Sequence, residues 1–123
     1  MRGSKMDLRK SLESNEVVVH ETDWGDMHVS FETFLKTLDV APLLKGLPND
    51  RCQCPHWGYV LKGRMRIKGN VGEEVVNAGD AYYMAPGHSV VMESGTEVIE
   101  FSPKEEHKKT MEVVERNFAS ARR

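Results

Sequence analysis

From Glu16 onward, apolar and polar positions alternate in short runs rich in β-branched and aromatic side chains, and glycine or proline breaks them at close, even intervals. That rhythm belongs to a sandwich or barrel, because βαβ units would place helix-length patterns between the strands. The strand-like runs are 16–21, 27–35, 52–62, 64–68, 73–77, 81–85, 89–93 and 96–102. They predict an all-β barrel of about eight strands. Turn chemistry sits between them: Asp23-Trp24-Gly25-Asp26, Gly63, Gly69-Asn70, Gly79-Asp80, Pro86-Gly87 and Gly95.

Two stretches break this rhythm. Between 36 and 51, Pro42, Gly46 and Pro48 interrupt a few leucines, which predicts a loop with room for a short helical turn, closing one end of the barrel. Over 104–123 the glycines vanish, and Met111, Val114 and Phe118 recur at intervals of three and four, the mark of an amphipathic helix. That helix is expected against the outside of the barrel or a partner subunit. Residues 1–15 are expected to form a flexible N-terminal segment, and residues 1–5 (Met-Arg-Gly-Ser-Lys, ahead of Met6) read as a cloning leader and are set aside. The barrel thus occupies 16–103.

The chain's 123 residues suit one domain, so any site is built from a single core or a subunit interface. Lysine and arginine number 17 against 19 acidic residues, a formal charge of -2 that offers no field for nucleic acid or anionic lipid. No apolar run is long enough to span a bilayer and the start is polar, so a cytoplasmic location is expected. Cys52 and Cys54 are too close in sequence to staple distant segments, and reduced thiols follow.

The segment CQCPHWGYVLKGRMRIKGNVGEEVVNAGDAYYMAPGHSVVMESGTEVIEFSP, 52–103, resembles the core of the cupin superfamily. GYVLKGRMRI is similar to the end of the first cupin motif and AGDAYYMAPGH to the start of the second. The resemblance implies a jelly-roll barrel with a metal held by histidines and a glutamate of those motifs. Counting back from Gly63 puts His56 on the glutamate position, Cys52 on the second histidine and Asp50 on the first; counting on from Gly79 puts Val90 on the second-motif histidine, with His88 two residues earlier. The usual ligand set is therefore rewritten here. Oxygenation, isomerisation and cyclisation are the reactions the resemblance implies, and the sequence does not choose among them.

Strand alternation recovers part of the lost motif. Cys52, Cys54, His56, Gly58 and Val60 share one face, which looks inward if His56 inherits the glutamate's orientation. His88, Val90 and Met92 share another. Ligands two residues apart stand about 7 Å apart at Cα and four apart about 13 Å on a straight strand, so Cys54 fits beside His56 more easily than Cys52. A bend at Pro55 would bring Cys52 in as well. Mixed thiolate and imidazole donors suit zinc, with iron, copper or nickel as alternatives.

Blander readings stand beside these. Buried cysteines serve as small apolar filler, and His88 suits a turn residue bonding the backbone after Pro86-Gly87. His20, His28 and His107, in polar company, are expected in solvent. Trp57, Tyr59 and Leu61 fall on the face opposite His56 and are expected to pack on another sheet or a dimer partner. One of Tyr82 and Tyr83 must point inward, and Tyr82 joins Val60, Val90 and Met92 as an expected ligand-lining residue.

The leading functional expectation is a metal-binding barrel acting on or binding a small molecule, with His56, His88 and a cysteine as ligands. The alternative is a metal-free barrel carrying or sensing a small apolar or carboxylated ligand. A third is an interaction module resting on the aromatic stripe and the terminal helix. A homodimer is expected, with residues 16–21 exchanged between subunits.

Overall fold

The computed structural model describes residues 1–121. Ten strands, all paired antiparallel, form two sheets. In chain order they are β1 (Arg9–Glu13), β2 (Val17–Trp24), β3 (Met27–Phe34), β4 (Leu38–Asp39), β5 (His56–Lys62), β6 (Arg64–Gly69), β7 (Gly72–Asn77), β8 (Ala81–Met84), β9 (Ser89–Met92) and β10 (Glu97–Pro103), followed by the helix α1 (Lys104–Ala121). One sheet runs β1-β2-β3-β10-β5-β8 and the other β4-β9-β6-β7.

The two inner faces meet in one core. Val17, Phe34, Val60, Val98, Tyr82 and Met84 come from the larger sheet, and Met65, Ile67, Val76, Val90 and Met92 from the smaller. Burial of these alternating side chains sets the strand register, because a one-residue slip would turn each apolar set to solvent. Trp57, Tyr59 and Leu61 stand half-exposed on the outer face of β5, as the alternation predicts. Gly63 turns β5 into β6 at φ +81°, and a Cβ there would lie 2.6 Å from Thr96 Cα, so the turn requires glycine on both counts.

Three features differ from the sequence expectation. The strand count rises from about eight to ten, because the 1–15 segment supplies β1 and the loop after β3 supplies the two-residue β4. The short helical turn expected in 36–51 is present twice, as 3-10 turns at Ala41–Leu44 and Pro48–Asp50. The helix, described to Ala121, lies across one end of the barrel, where its buried side lines the interior; the predicted extension through Arg122 and Arg123 falls outside the described residues. Asn117 Nδ2 donates to the carbonyls of Leu43 and Lys45 at 2.8 and 2.9 Å, and the Lys104 N–H donates to the Asp26 carbonyl at 2.9 Å. Both ends of the helix are thereby tied to the rim.

Candidate metal centre

β5 begins only at His56, so Cys52 is outside the strand. It is held instead by a single antiparallel rung to His88: the Cys52 N–H donates to the His88 carbonyl at 2.9 Å, and Gly87 and His88 N–H groups donate back to the Cys52 carbonyl at 2.8 and 3.2 Å. The chain bends through Gln53, Cys54 and Pro55, which places Cys52 Sγ 3.5 Å from His56 Nε2. The straight-strand spacing that favoured Cys54 does not apply across such a bend. One sulfur or nitrogen of each of Cys52, His56 and His88 lies within 4.8 Å of the others, and all three residues are buried. Cys54 lies outside this group, packed with Leu44 and Cys52, and its thiol donates to the Pro55 carbonyl at 3.5 Å.

Each imidazole is anchored by its far nitrogen. His88 Nδ1 donates to the Ala85 carbonyl at 2.7 Å, which fixes the proton there and leaves the Nε2 lone pair bare. The turn-residue reading and the ligand reading of His88 thus describe two sides of one ring. His56 Nδ1 is held 2.6 Å from the Ser102 hydroxyl, with Glu100 Oε2 at 3.6 Å, so its Nε2 is the nitrogen turned toward Cys52. Partners of this kind on the outer nitrogen orient metal-ligating histidines. Burial pushes both imidazoles down to about 4 and the Cys52 thiol up to about 11. The cluster therefore presents neutral imidazoles and a protonated thiol, which a soft divalent cation would deprotonate on binding. A thiol and two imidazoles at this spacing are a chemically suitable set for zinc, iron, copper or nickel.

The three donors lie at the wall of a cavity of about 490 Å³. Val90 and Met92, expected to line it, do so; Val60 and Tyr82 are buried in the core behind it. The remaining wall is chiefly aliphatic, with Met111, Val114 and Phe118 of α1 closing one side. No lysine or arginine is among the described lining residues, whereas Glu21, Glu32, Glu100 and Glu115 are.

Sequence reasoning missed the acidic interior. Glu100 lies between Val98 and Ser102 on the inward face of β10, and the Tyr82 hydroxyl donates to its Oε1 at 2.7 Å. Burial raises the carboxyls of Glu32 and Glu100 above the ordinary range, and their mutual repulsion raises Glu32 further, so the pair retains a proton at neutral pH. An acidic residue at an inward phase of an alternating strand was the available signal.

The expectation of solvated histidines is corrected at three places. His20 and His28 are buried and His107 is half-buried, because β1 covers β2 on one side and α1 folds back over β3. The His28 and His107 rings stack with centroids 3.7 Å apart. Burial opposes charge on His28, yet Glu21 and Asp23, at 2.6 and 2.8 Å, outweigh it and hold its pKa above the ordinary value. Burial pushes His107 down to about 4. His107 falls four residues before Met111 on the helix's buried stripe, a phase that marks it as inward.

No protein-family model matches the sequence, and no curated protein is significantly similar to it. Solved structures do match. An RmlC-like cupin from Shewanella frigidimarina is 15% identical and aligns over 82% of this chain and 88% of its own, with a TM-score of 0.57. The polyketide cyclase RemF from Streptomyces resistomycificus is 14% identical over 85% of this chain and 79% of its own, at 0.59. Oxalate decarboxylase from Lactobacillus farciminis, in a formate complex, is 14% identical over 82% of this chain and 32% of that longer one, at 0.58. Identities at this level establish the architecture: the chain folds as a cupin jelly roll. Among the described residues, no helix is long and apolar enough to cross a membrane.

Proposed function

We propose that this cupin-fold barrel binds one divalent transition metal, zinc in the first place, through Cys52, His56 and His88, and holds a small, mainly apolar molecule beside it. The observation that carries the reading is the convergence of one thiol and two imidazoles within 4.8 Å on the wall of the 490 Å³ cavity. Three protein ligands leave a coordination position for water or an oxygen-bearing ligand, the arrangement of a reactive site and not of a closed structural one. A metal held there would act as a Lewis acid on that oxygen.

The chain's own residues define what fits. The aliphatic wall receives an apolar body, and its acidic groups leave no fixed cationic side chain to meet an anionic head. A neutral or cationic ligand is favoured, and a carboxylated one would depend on the metal for its countercharge. A proton retained by the Glu32–Glu100 pair would lie beside His56, while the Tyr82 hydroxyl donates to Glu100 Oε1 and orients that carboxyl. Tag-free protein should contain close to one equivalent of thiolate-bound metal, and His56→Ala should lose it; full retention of that thiolate-bound equivalent in the variant removes His56 from the site.

A further inference from the structure

A second cluster of donors lies on the same cavity, built from different elements. Glu21 of β2, His28 of β3 and His107 of α1 each offer one ligand atom within 4.8 Å of the other two. Glu21 and His107 line the cavity. His28 Nε2 is buried and forms a close ion pair with Glu21 Oε1 at 2.6 Å. The pair puts one ring nitrogen and one carboxylate oxygen side by side, two donors that a cation would share once the ring gives up its proton.

The groups behind these atoms are arranged as supports. Asp23 Oδ1 accepts from His28 Nδ1 at 2.8 Å, which turns Nε2 into the cluster. The Ser11 hydroxyl donates to Glu21 Oε2, which leaves Oε1 for the cluster. A carboxylate behind a histidine and a hydroxyl behind a carboxylate are the outer contacts that fix ligands around a metal. Two such ligands stand about 3 Å apart at right angles around iron(II) and about 3.4 Å apart around tetrahedral zinc, so Nε2 and Oε1 need to open by less than about 1 Å. His107 must do more. Its ring lies flat on His28, 16° from parallel, and parallel rings do not aim lone pairs at one ion. It is half-buried and lines the cavity, so it would turn its ring from the stack on His28 to reach the ion.

We propose that Glu21, His28 and His107 form a second divalent-metal site, of the two-histidine, one-carboxylate type that accepts zinc or iron(II), and that its occupation pins α1 over the cavity. The site is separate from the Cys52 cluster, shares no ligand with it, and contains no sulfur. Because two ligands belong to the sheet and the third to the helix, filling it ties the lid to the barrel, adding to the tethers at Asn117 and Lys104.

Cobalt(II) separates the two sites by their donors. Chelator-treated full-length protein is titrated with Co²⁺ while visible d–d absorption and the near-ultraviolet thiolate charge-transfer band are followed. The wild type is expected to take up one equivalent that brings the thiolate band and another that does not. His107→Ala and Glu21→Gln each lose the second and keep the first, whereas His56→Ala loses the first and keeps the second. Asp23→Asn, at a half-exposed position, weakens the second by about 10- to 100-fold without changing the first. Hydrogen exchange along α1 slows on cobalt addition in the wild type and in His56→Ala, and is unchanged by cobalt in His107→Ala. Uptake limited to the thiolate-bound equivalent, or a second equivalent that survives both His107→Ala and Glu21→Gln, overturns this site. A second equivalent without any thiolate band leaves it standing and overturns the Cys52 reading instead.

Discussion

Cys52 and His88 are joined through their backbones, the Cys52 N–H donating to the His88 carbonyl at 2.9 Å and the His88 N–H returning to the Cys52 carbonyl at 3.2 Å. This rung lies outside the named strands, and it fixes the thiol and the second imidazole to one another without using either side chain. Ligand chemistry at Cys52 is therefore separable from the fold. Cys52→Ser is expected to keep the rung and melt close to the wild type in chelator-treated samples, at a cost of about 1 kcal/mol for the buried hydroxyl. Its zinc affinity is expected to drop by at least about tenfold, read by competition with a chromogenic chelator, since a hydroxyl is a far poorer ligand than a thiolate.

At Gly58, β5 is closely flanked by β8 and β10. A Cβ there would stand 2.3 Å from the Tyr82 hydroxyl and 2.7 Å from the Ile99 carbonyl. Gly58→Ala must displace the ring that donates to Glu100, and a loss of about 1–3 kcal/mol is expected in urea unfolding. Gly69→Ala, whose added carbon meets only the Gly72 carbonyl at 3.9 Å, serves as the control and is expected to cost less than about 1 kcal/mol.

The N-terminal segment is fastened by Lys5 Nζ, 2.6 Å from Glu97 Oε2. Burial alone would raise the Glu97 carboxyl, but the Lys5 ammonium and the Thr33 hydroxyl outweigh it and hold it below its ordinary value. A depressed carboxyl stabilises the fold above its ordinary pKa and loses that contribution as pH falls through the folded value. Glu97→Gln should therefore be less stable than the wild type at about pH 7, by about 0.5 kcal/mol given the half-exposed Lys5, and the gap should close as pH falls below the ordinary carboxylate range. A gap that widens on acidification contradicts the pairing.

The helix covers apolar wall, with Phe118 packed against the main core and Val114 against the Leu44–Cys52–Cys54 cluster. Phe118→Ala is expected to cost about 1–3 kcal/mol, below the range for a fully buried ring because Phe118 is only partly buried. Truncation after Pro103 should open the cavity and raise binding of a hydrophobic dye to the folded protein. Unchanged dye binding would show that the helix does not close the cavity.

The sheet was legible because its signal is local and repeated: glycine-marked turns and inward alternation place most strands within a residue or two. β1 was not, since Arg9–Glu13 has one apolar residue, Leu12, among polar ones, as befits a charged edge strand. At the site, His56 and His88 could be read from strand phase. The choice between Cys52 and Cys54 could not, because it turns on a bend at 53–55 and on a rung to a distant residue. The Glu21–His28–His107 group was equally hidden. Its members come from three separate segments, and only the docking of α1 onto β3 makes them neighbours.

Cys52, His56 and His88 are proposed to hold one metal ion together. Elemental mass spectrometry of tag-free wild type and His56→Ala, each dialysed against excess Zn²⁺ and then against buffer with a weak chelator that strips the sulfur-free site, tests it most directly. About one zinc per chain is expected in the wild type and little in the variant. Equal zinc in both, or none in the wild type, would contradict it.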